Sequence, residues 1–373
     1  MNRERFIYLD LIRGIAALLV FYGHLRAIYF MGYPFQNHKG SALKSFYFIT
    51  GFGHEAVMIF FVLSGFFIAK TINNSIKANN WSFSSYIFSR FVRLWVVLIP
   101  AIVLGAIFDN LTLFFFPESN IVLGKILYMP DIMPQDKTTV SIAIANIFFL
   151  QGILSPTYGS NGALWSLANE FWYYMLFPLL LFTVKKDYQF KKRLLLALFA
   201  LIISYFIGKT FFLYFLVWLF GVIVFYLSPF RVKFCRFWLI ISLVSTIFIL
   251  TQIRLANFPI YFNDFTLGIS FAVFVFFITK LKKTPGRFLS KLSEFLSNIS
   301  YTLYLIHLPA LVFICSFFDL TLKQFSCTNL LYYIALSFVI IVYAYVIWYI
   351  FERNTSKIKI LILSGISKSI KIS

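Results

Sequence analysis

Charged residues, acidic residues above all, and cysteines are scarce in this sequence of 373 residues. It holds 13 Asp and Glu against 33 Lys and Arg, and charged residues make up only 12% of the chain, while hydrophobic residues reach 61% and aromatic residues 21%. This composition excludes a soluble globular domain and is typical of a helical membrane protein with many spans. Three scattered cysteines, Cys235, Cys315 and Cys327, show neither metal-ligand spacing nor a disulfide framework, so we predict no metal.

Apolar runs long enough to cross a bilayer recur along the chain and predict an all-α integral membrane protein of about ten transmembrane helices. If both termini are cytoplasmic, 24 Lys and Arg residues fall in the inner segments and eight in the outer ones. This bias satisfies the positive-inside rule, and it shows that the net charge of +20 indicates no nucleic-acid partner. The predicted spans are residues 9–30, 53–70, 91–115, 165–183, 194–208, 211–228, 237–253, 262–279, 299–318 and 330–351.

Residues 1–352 are predicted to form one membrane domain, and residues 353–373 a basic tail on the cytoplasmic face, lying against anionic membrane lipids. The longest outer segment, about 116–164, is either a lid over an outward pocket or a loop that packs on the bundle. Within it, residues 141–150 are apolar but too short to span, which predicts a re-entrant or interfacial helix.

The first span carries three ionisable side chains, Asp10, Arg13 and His24. Ionisable groups at membrane depth are costly and usually mark a working site. Arg13 and His24 are eleven residues apart, close to three helical turns, so they share one face about 16 Å apart, with Asp10 one turn below Arg13. The simpler alternatives are a positive-inside anchor for Arg13 and a helix-packing histidine for His24.

The segment NGALWSLANEFWYY begins the fourth span from the outside. In it Glu170 follows Ser166 by four residues, so the two side chains are neighbours on one helix face. Glu170 lies at an outer depth comparable with that of His24, where a carboxylate can orient the imidazole and support its charged form. The alternative is a carboxylate that faces interfacial water.

Two features lie at the cytoplasmic ends of the second and third spans. In the segment FFVLSGF, Ser64 and Gly65 let helices approach closely, and close packing is the leading interpretation. Arg90 and Arg93 are three residues apart, so they share a face and can grip a phosphate with paired donors. Positive-inside anchoring explains the same arginines without a ligand.

Tyr301, Tyr304 and His307 recur every three residues along the ninth span and form a polar stripe. Tyr301 fits an aromatic belt at the interface, whereas His307 is too deep for a belt and is predicted to face the bundle interior. The overall layout has basic groups at the inner mouth and a histidine with a carboxylate further out. It suits a phosphate-bearing donor from the cytoplasm, with a histidine as base for a sugar hydroxyl that attacks a thioester.

Five motifs in order give the chain a family resemblance. Arg13 with His24, then FFVLSGF, Arg90-x-x-Arg93, WSLxxE and SYxxYLxH resemble the membrane acyltransferase-3 family over residues 9 to about 310. The resemblance implies a ten-helix acyltransferase core that acylates carbohydrates and other acceptors, usually from acetyl-CoA. It also implies that His24 and Arg13 are essential and that Arg90 and Arg93 face the CoA side.

The resemblance also has limits and consequences for the end of the chain. Family members often have a proline soon after the final glutamate, whereas here the run is FERN, in which we expect an interfacial ion pair between Glu352 and Arg353. The chain resembles the stand-alone type, without a hydrolase-like periplasmic domain. We predict catalytic roles for His24, Arg13 and Glu170, donor-binding roles for Arg90, Arg93, Tyr301, Tyr304 and His307, and supporting roles for Asp10, Ser64, Trp165 and Ser166.

The resulting hypothesis is an O-acetyltransferase of a bacterial inner membrane that uses acetyl-CoA and no metal. Its acceptor would be a sugar hydroxyl of a surface or lipid-linked glycan such as the O-antigen of lipopolysaccharide, and direct transfer is preferred over a covalent acyl-enzyme. Homo-oligomerisation stays open. A transporter or flippase of a lipid-linked sugar is the alternative, although no inverted repeat supports it. A glycan polymerase is a third interpretation, which the motif order disfavours.

Overall fold

The computed structural model describes residues 6–126, 129, 132–185, 188–255, 259–281 and 285–372. Residues 1–5 of the predicted membrane domain and residue 373 of the predicted tail lie outside this part. The helices are α1 Ile7–Tyr29, α2 Ser41–Ile49, α3 Gly53–Lys77, α4 Phe83–Phe115, α5 Val140–Ile147, α6 Leu164–Val184, α7 Phe190–Leu227, α8 Cys235–Leu255, α9 Ile260–Ile278, α10 Arg287–Phe317, α11 Cys327–Ile350 and α12 Thr355–Ile372.

Nine helical stretches within the described residues are long and apolar enough to cross a membrane. In the same part of the chain, β-pairing is limited to two isolated bridges, Phe30 with Lys323 and Gln151 with Ser155. These findings confirm the prediction of an all-α, multi-pass integral membrane protein. The cytoplasmic placement of both termini stays a prediction from the distribution of basic residues.

The predicted spans 194–208 and 211–228 lie together in α7, which is interrupted at Gly208. This residue has φ 80° and ψ 176°, a conformation that only glycine adopts without strain. An unbroken helix of 38 residues would be about 57 Å long, far beyond the ~30 Å of a hydrocarbon core. Gly208 thus divides α7 into two parts, each of about membrane-spanning length.

The chain forms two compact units, each assembled from three separate stretches of sequence. Helices α1, α6 and α10 each contribute one part to each unit, which explains how distant motifs come to share a unit. The first unit holds Met1–Val20, Phe48–Trp81 and Asn169–Ser300, and the second holds Phe21–Tyr47, Ser82–Ala168 and Tyr301–Ser373.

Close backbone contact between α3 and the second half of α7 organises the first unit. A methyl group added at Gly65 would overlap the carbonyl oxygen of Trp218, and one added at Gly221 would overlap that of Val62. Only glycine permits such an approach, and small residues at helix contacts are the usual means of packing helices in a membrane. The close-packing interpretation of Gly65 is therefore confirmed.

The second unit contains a short helix, α5, where the sequence predicts a re-entrant or interfacial helix. Trp95 Nε1 donates to the carbonyl oxygen of Ile147 at the end of α5, at 2.8 Å, and Asp109 accepts from both the backbone N–H and the hydroxyl of Ser160. Trp95 and Asp109 are about 21 Å apart along α4. The segment therefore descends along α4 as far as Trp95 and returns, which favours a loop packed on its own unit over a lid.

Candidate active-site residues

Two histidines form a hydrogen-bonded pair in the second unit. His24 Nδ1 lies 2.7 Å from His307 Nε2, and the two ring planes are only 11° apart. His307 is fully buried, whereas His24 is half-buried. Complete burial leaves His307 no surface for a CoA molecule, so the structure favours a role beside His24 over the donor-binding role predicted from the sequence.

The partner of the second ring nitrogen fixes the direction of this hydrogen bond. His307 Nδ1 lies 2.8 Å from the carbonyl oxygen of Leu303, which can only accept, so Nδ1 carries the proton. In neutral His307 the Nε2 atom then has the lone pair and accepts from His24 Nδ1–H. His24 is thereby held in the tautomer whose Nε2 atom has a free lone pair, which is the form that a general base requires.

Side chains of the WSLxxE and SYxxYLxH motifs meet beside this histidine pair. The hydroxyl groups of Ser166 and Tyr304 are 2.7 Å apart, and Asn161 Nδ2 donates to the carbonyl oxygen of Leu305 at 2.7 Å. The Tyr304 ring lies 6.5 Å from that of His307. These contacts fix the start of α6 against α10 where α10 carries His307. Trp165, in the first turn of α6, is half-buried.

Arg93 is held by a buried carboxylate and an aromatic ring. Its guanidinium lies 2.7 Å from Glu352 and 5.2 Å from the centre of the Tyr301 ring. Glu352 also accepts from Thr302 Oγ1 at 2.5 Å. The expected ion pair between Glu352 and Arg353 is therefore wrong. The Glu352 carboxylate is buried and pairs with Arg93, as a buried charge is costly unless it is paired.

Two further basic side chains, Arg90 and Lys359, lie at the same end of α4 as Arg93. Arg90 is half-buried, with its guanidinium 5.6 Å from the centre of the Tyr86 ring. Lys359 of α12 donates to the hydroxyl of Ser89 at 2.6 Å. Arg93 keeps 39% of its side chain exposed. Three cations of the second unit therefore belong to one end of α4, and sequence reasoning had placed Lys359 only in a lipid-facing tail.

In the first unit, Arg13 is paired within its own helix. It lies 3.2 Å from Asp10, as the spacing of three residues predicts, and its guanidinium also donates to the carbonyl oxygen of Ser297 at 3.4 Å. Both side chains are one-third exposed. The Asp10 carboxylate therefore offsets the Arg13 charge and orients the guanidinium.

Glu170 ends a chain of hydrogen bonds in the first unit. Trp218 Nε1 donates to Ser64 Oγ at 3.2 Å, Ser64 Oγ donates to Glu170 Oε1 at 2.8 Å, and the Tyr174 hydroxyl donates to the same oxygen. Ser64 thus does more than permit close packing. The essential role predicted for Arg13 and the orienting role predicted for Glu170 stay predictions.

Sequence reasoning missed three buried carboxylates, Asp109, Asp264 and Glu55, the last of which is 6% exposed in the predicted span 53–70. Asp109 is fully buried and bonded to Ser160, and Asp264, 2% exposed, accepts from His54 Nε2 at 2.8 Å. The signal was available, because Asp109 and Asp264 lie inside predicted spans, where an ionisable residue suggests a functional site. Their partners were not predictable, because Ser160 lies in a loop and His54 is 210 residues away from Asp264 in the sequence.

The comparisons with known proteins agree with the motif pattern. The acyltransferase domain family model matches residues 6–349. A Haemophilus influenzae protein described as uncharacterized is 28% identical over 165 residues, which are 41% of this chain and 61% of that protein. No solved structure matches. Because the family model covers nearly the whole chain, this protein belongs to the acyltransferase-3 family of membrane acyltransferases.

Proposed function

We propose that this protein transfers an acetyl group from acetyl-CoA to a sugar hydroxyl of a surface or lipid-linked glycan, such as O-antigen, in a bacterial inner membrane. The observation that carries the proposal is the His24–His307 pair, which leaves a lone pair on His24 Nε2 of a half-buried ring. A base of this kind is what an alcohol needs in order to attack a thioester.

The reaction then depends on the free Nε2 lone pair of the neutral His24 imidazole. His24 Nε2 takes the proton of the sugar hydroxyl as its oxygen attacks the thioester carbonyl. The carbon–sulfur bond breaks, the CoA sulfur leaves with the electron pair, and it receives the proton from His24. Throughout, His24 Nδ1–H stays bonded to His307 Nε2, so the ring does not turn while it carries the extra charge.

The basic end of α4 supplies the donor-binding part of the proposal. Guanidinium groups suit CoA phosphates because they donate paired hydrogen bonds. Arg90 is assigned to phosphate binding, whereas Arg93 is oriented by Glu352 and has one-third or more of its side chain exposed for a second contact. Tyr301 lies under the Arg93 guanidinium and limits its movement.

The test uses membranes that contain equal amounts of wild type, His24→Ala, Arg90→Ala or His38→Ala. Labelled acetyl-CoA and a lipid-linked glycan fraction are supplied, and label in the glycan is counted. We expect His24→Ala to lose about a hundredfold or more of the rate, the usual contribution of a general base. His38, an exposed histidine of the same unit, is the matched control and should retain the rate.

Arg90→Ala separates donor binding from catalysis, because excess acetyl-CoA should restore its rate while it should not restore His24→Ala. Absence of label from wild type, with glycan and donor both present, would refute the proposal. If the glycan then crossed the membrane only when wild type was present, the transporter would replace the enzyme as the function of this chain.

A further inference from the structure

One lysine of α12 contacts α4 within the second unit. Lys359 Nζ donates to Ser89 Oγ at 2.6 Å, although the two residues are 270 positions apart in the sequence. Ser89 Oγ donates its own proton to the carbonyl oxygen of Ser85 at 2.7 Å, so it offers a lone pair to the ammonium group. Lys359 is half-buried, whereas Lys357 of the same helix is exposed. The contact with Ser89 therefore fixes the position of the Lys359 ammonium beside α4.

The ammonium group of Lys359 has hydrogen-bond donors to spare. An ammonium carries three N–H donors and no acceptor. Among the residues that the structure describes, Ser89 is the one hydrogen-bond partner of Lys359 Nζ, and no carboxylate there forms an ion pair with it. One donor thus holds the group in place, and two are available to a ligand.

Lys359 reaches the side of α4 that carries Arg93. Ser89 and Arg93 are four residues apart in α4, so they are neighbours on one helix face, about 6 Å apart along the axis. Arg90 is three residues before Arg93 and borders the same face. Three cations, two from α4 and one from α12, therefore lie at neighbouring positions.

The two segments that meet here are strongly basic. Residues 83–99 and 351–364 together hold five Lys and Arg residues and a single carboxylate, Glu352, which is paired with Arg93. Like charges placed side by side repel one another, and an anionic ligand offsets this repulsion. Ammonium and guanidinium groups form charge-assisted hydrogen bonds with phosphate oxygens. The cluster therefore suits a ligand with more than one phosphate group.

α12 also has apolar side chains that remain exposed. Ile360 and Leu361 are 65% and 68% exposed, as in a helix that lies on a membrane surface. A lysine of such a helix that served only as a lipid anchor would extend its ammonium to the headgroups, whereas the ammonium of Lys359 is bonded to Ser89. This end of α4 is on the side predicted as cytoplasmic from the basic residues, where CoA is present.

We propose that Lys359 binds a phosphate group of the acyl-CoA donor, so that α12 completes the donor site that Arg90 and Arg93 begin on α4. This inference rests on the proposed function, because it takes its ligand from the donor of that reaction. Ser89 positions the ammonium through one N–H, and the other two N–H groups contact phosphate oxygens. Lys359 takes no part in the transfer of the acetyl group or of the proton.

Three lysine variants test the assignment. Lys359→Gln removes the charge, and Lys359→Arg keeps it. Lys357→Gln is the matched control, because it removes the same charge from an exposed position of the same helix. Each purified protein in lipid nanodiscs is titrated with CoA in the absence of glycan, and its thermal unfolding is recorded.

We expect wild type and Lys357→Gln to bind CoA equally, and Lys359→Gln to bind it about tenfold more weakly at an unchanged unfolding temperature, since it loses a charge-assisted hydrogen bond. Lys359→Arg should recover most of the affinity, because a guanidinium also donates to phosphate. In the acetylation assay, Lys359→Gln should raise KM for acetyl-CoA by the same factor and leave kcat unchanged.

Several results would overturn the inference. They are equal CoA binding by wild type and Lys359→Gln, equal weakening in Lys359→Gln and Lys357→Gln, and weaker binding that merely follows a lower unfolding temperature. Absence of CoA binding to wild type would also overturn it.

Lipid headgroups are a second source of phosphate, so the titration is made in nanodiscs of phosphatidylcholine and in nanodiscs of phosphatidylglycerol. The factor between wild type and Lys359→Gln should be the same in both lipids. A factor that is present in one lipid and absent in the other would assign Lys359 to a lipid headgroup and overturn the inference.

The titration contains neither glycan nor acetyl group, so it separates the two proposals. Acetylation by wild type, with CoA binding that does not depend on Lys359, would retain the enzyme and refute the inference. CoA binding that depends on Lys359, without acetylation of glycan by wild type, would retain the donor site and refute the proposed acetyl transfer to glycan.

Discussion

The tautomer that His307 imposes on His24 gives the sharpest prediction. Two substitutions at His307 differ in whether they keep a hydrogen-bond acceptor where Nε2 stands 2.7 Å from His24 Nδ1. His307→Gln can place its amide oxygen near that point and keep the acceptor. His307→Leu fills a fully buried position of similar size without any acceptor.

The expected size of the effect follows from the energy of one hydrogen bond. Removing the acceptor of a largely buried donor costs about 1–3 kcal/mol. If that energy is what holds the catalytic tautomer and ring orientation, kcat falls about 5- to 150-fold, at 1.36 kcal/mol for each factor of ten. The loss of the bond to the Leu303 carbonyl in His307→Gln should cost little, because this oxygen is already within a helix.

The measurement is kcat for acetyl transfer at saturating acetyl-CoA and glycan, together with thermal unfolding of each variant. His307→Leu should lose rate within the range above while KM for acetyl-CoA stays unchanged, and His307→Gln should recover most of it. Equal impairment of the two variants at native stability would refute the tautomer argument. A raised KM for acetyl-CoA in both would restore the donor-binding role.

Two further predictions concern stability. Arg93→Ala leaves the buried Glu352 carboxylate without its guanidinium partner, and we expect the free energy of unfolding to fall by about 1–3 kcal/mol, a range limited by the partial exposure of Arg93. Adding Glu352→Gln should restore part of this stability in thermal unfolding. A double variant that is no more stable than Arg93→Ala would contradict the prediction. Gly65→Ala should cost about 1–3 kcal/mol because its methyl group meets the Trp218 carbonyl oxygen. Gly40→Ala, with open space around it, should change nothing in the same assay.

The sequence predicted the helices well because their signal is local. Hydropathy and run length depend on neighbouring residues, and the glycine break in α7 falls between two runs that were already predicted as separate spans. The stripe of Tyr301, Tyr304 and His307 was likewise predictable, since it needs only the helical repeat. The sequence did not predict that the two spans form one helix broken at Gly208. Glycine is common in membrane helices, so its presence alone does not show where a helix breaks.

Contacts between distant segments were beyond the same reasoning. His24 and His307 are 283 residues apart, and nothing local states which residue a helix face will meet. Sequence analysis therefore gave His24 a carboxylate partner from a shared depth and assigned His307 to the donor. Sequence reasoning likewise paired Glu352 with its neighbour Arg353, because only local neighbours are visible in a sequence. In the structure the buried Glu352 carboxylate pairs with Arg93.

Accounting for hydrogen-bond partners separates structural from functional groups in this protein. Asp109 and Glu352 are buried, and each is paired with side chains of its own unit. Such paired carboxylates hold helices and the segment after α5 in place. A group prepared for proton transfer differs in having a directed atom left over, which is the case for His24 Nε2 by its tautomer. The lone pair of this atom belongs to a half-buried ring and not to a fully buried one. This difference is why we assign the proton transfer to His24.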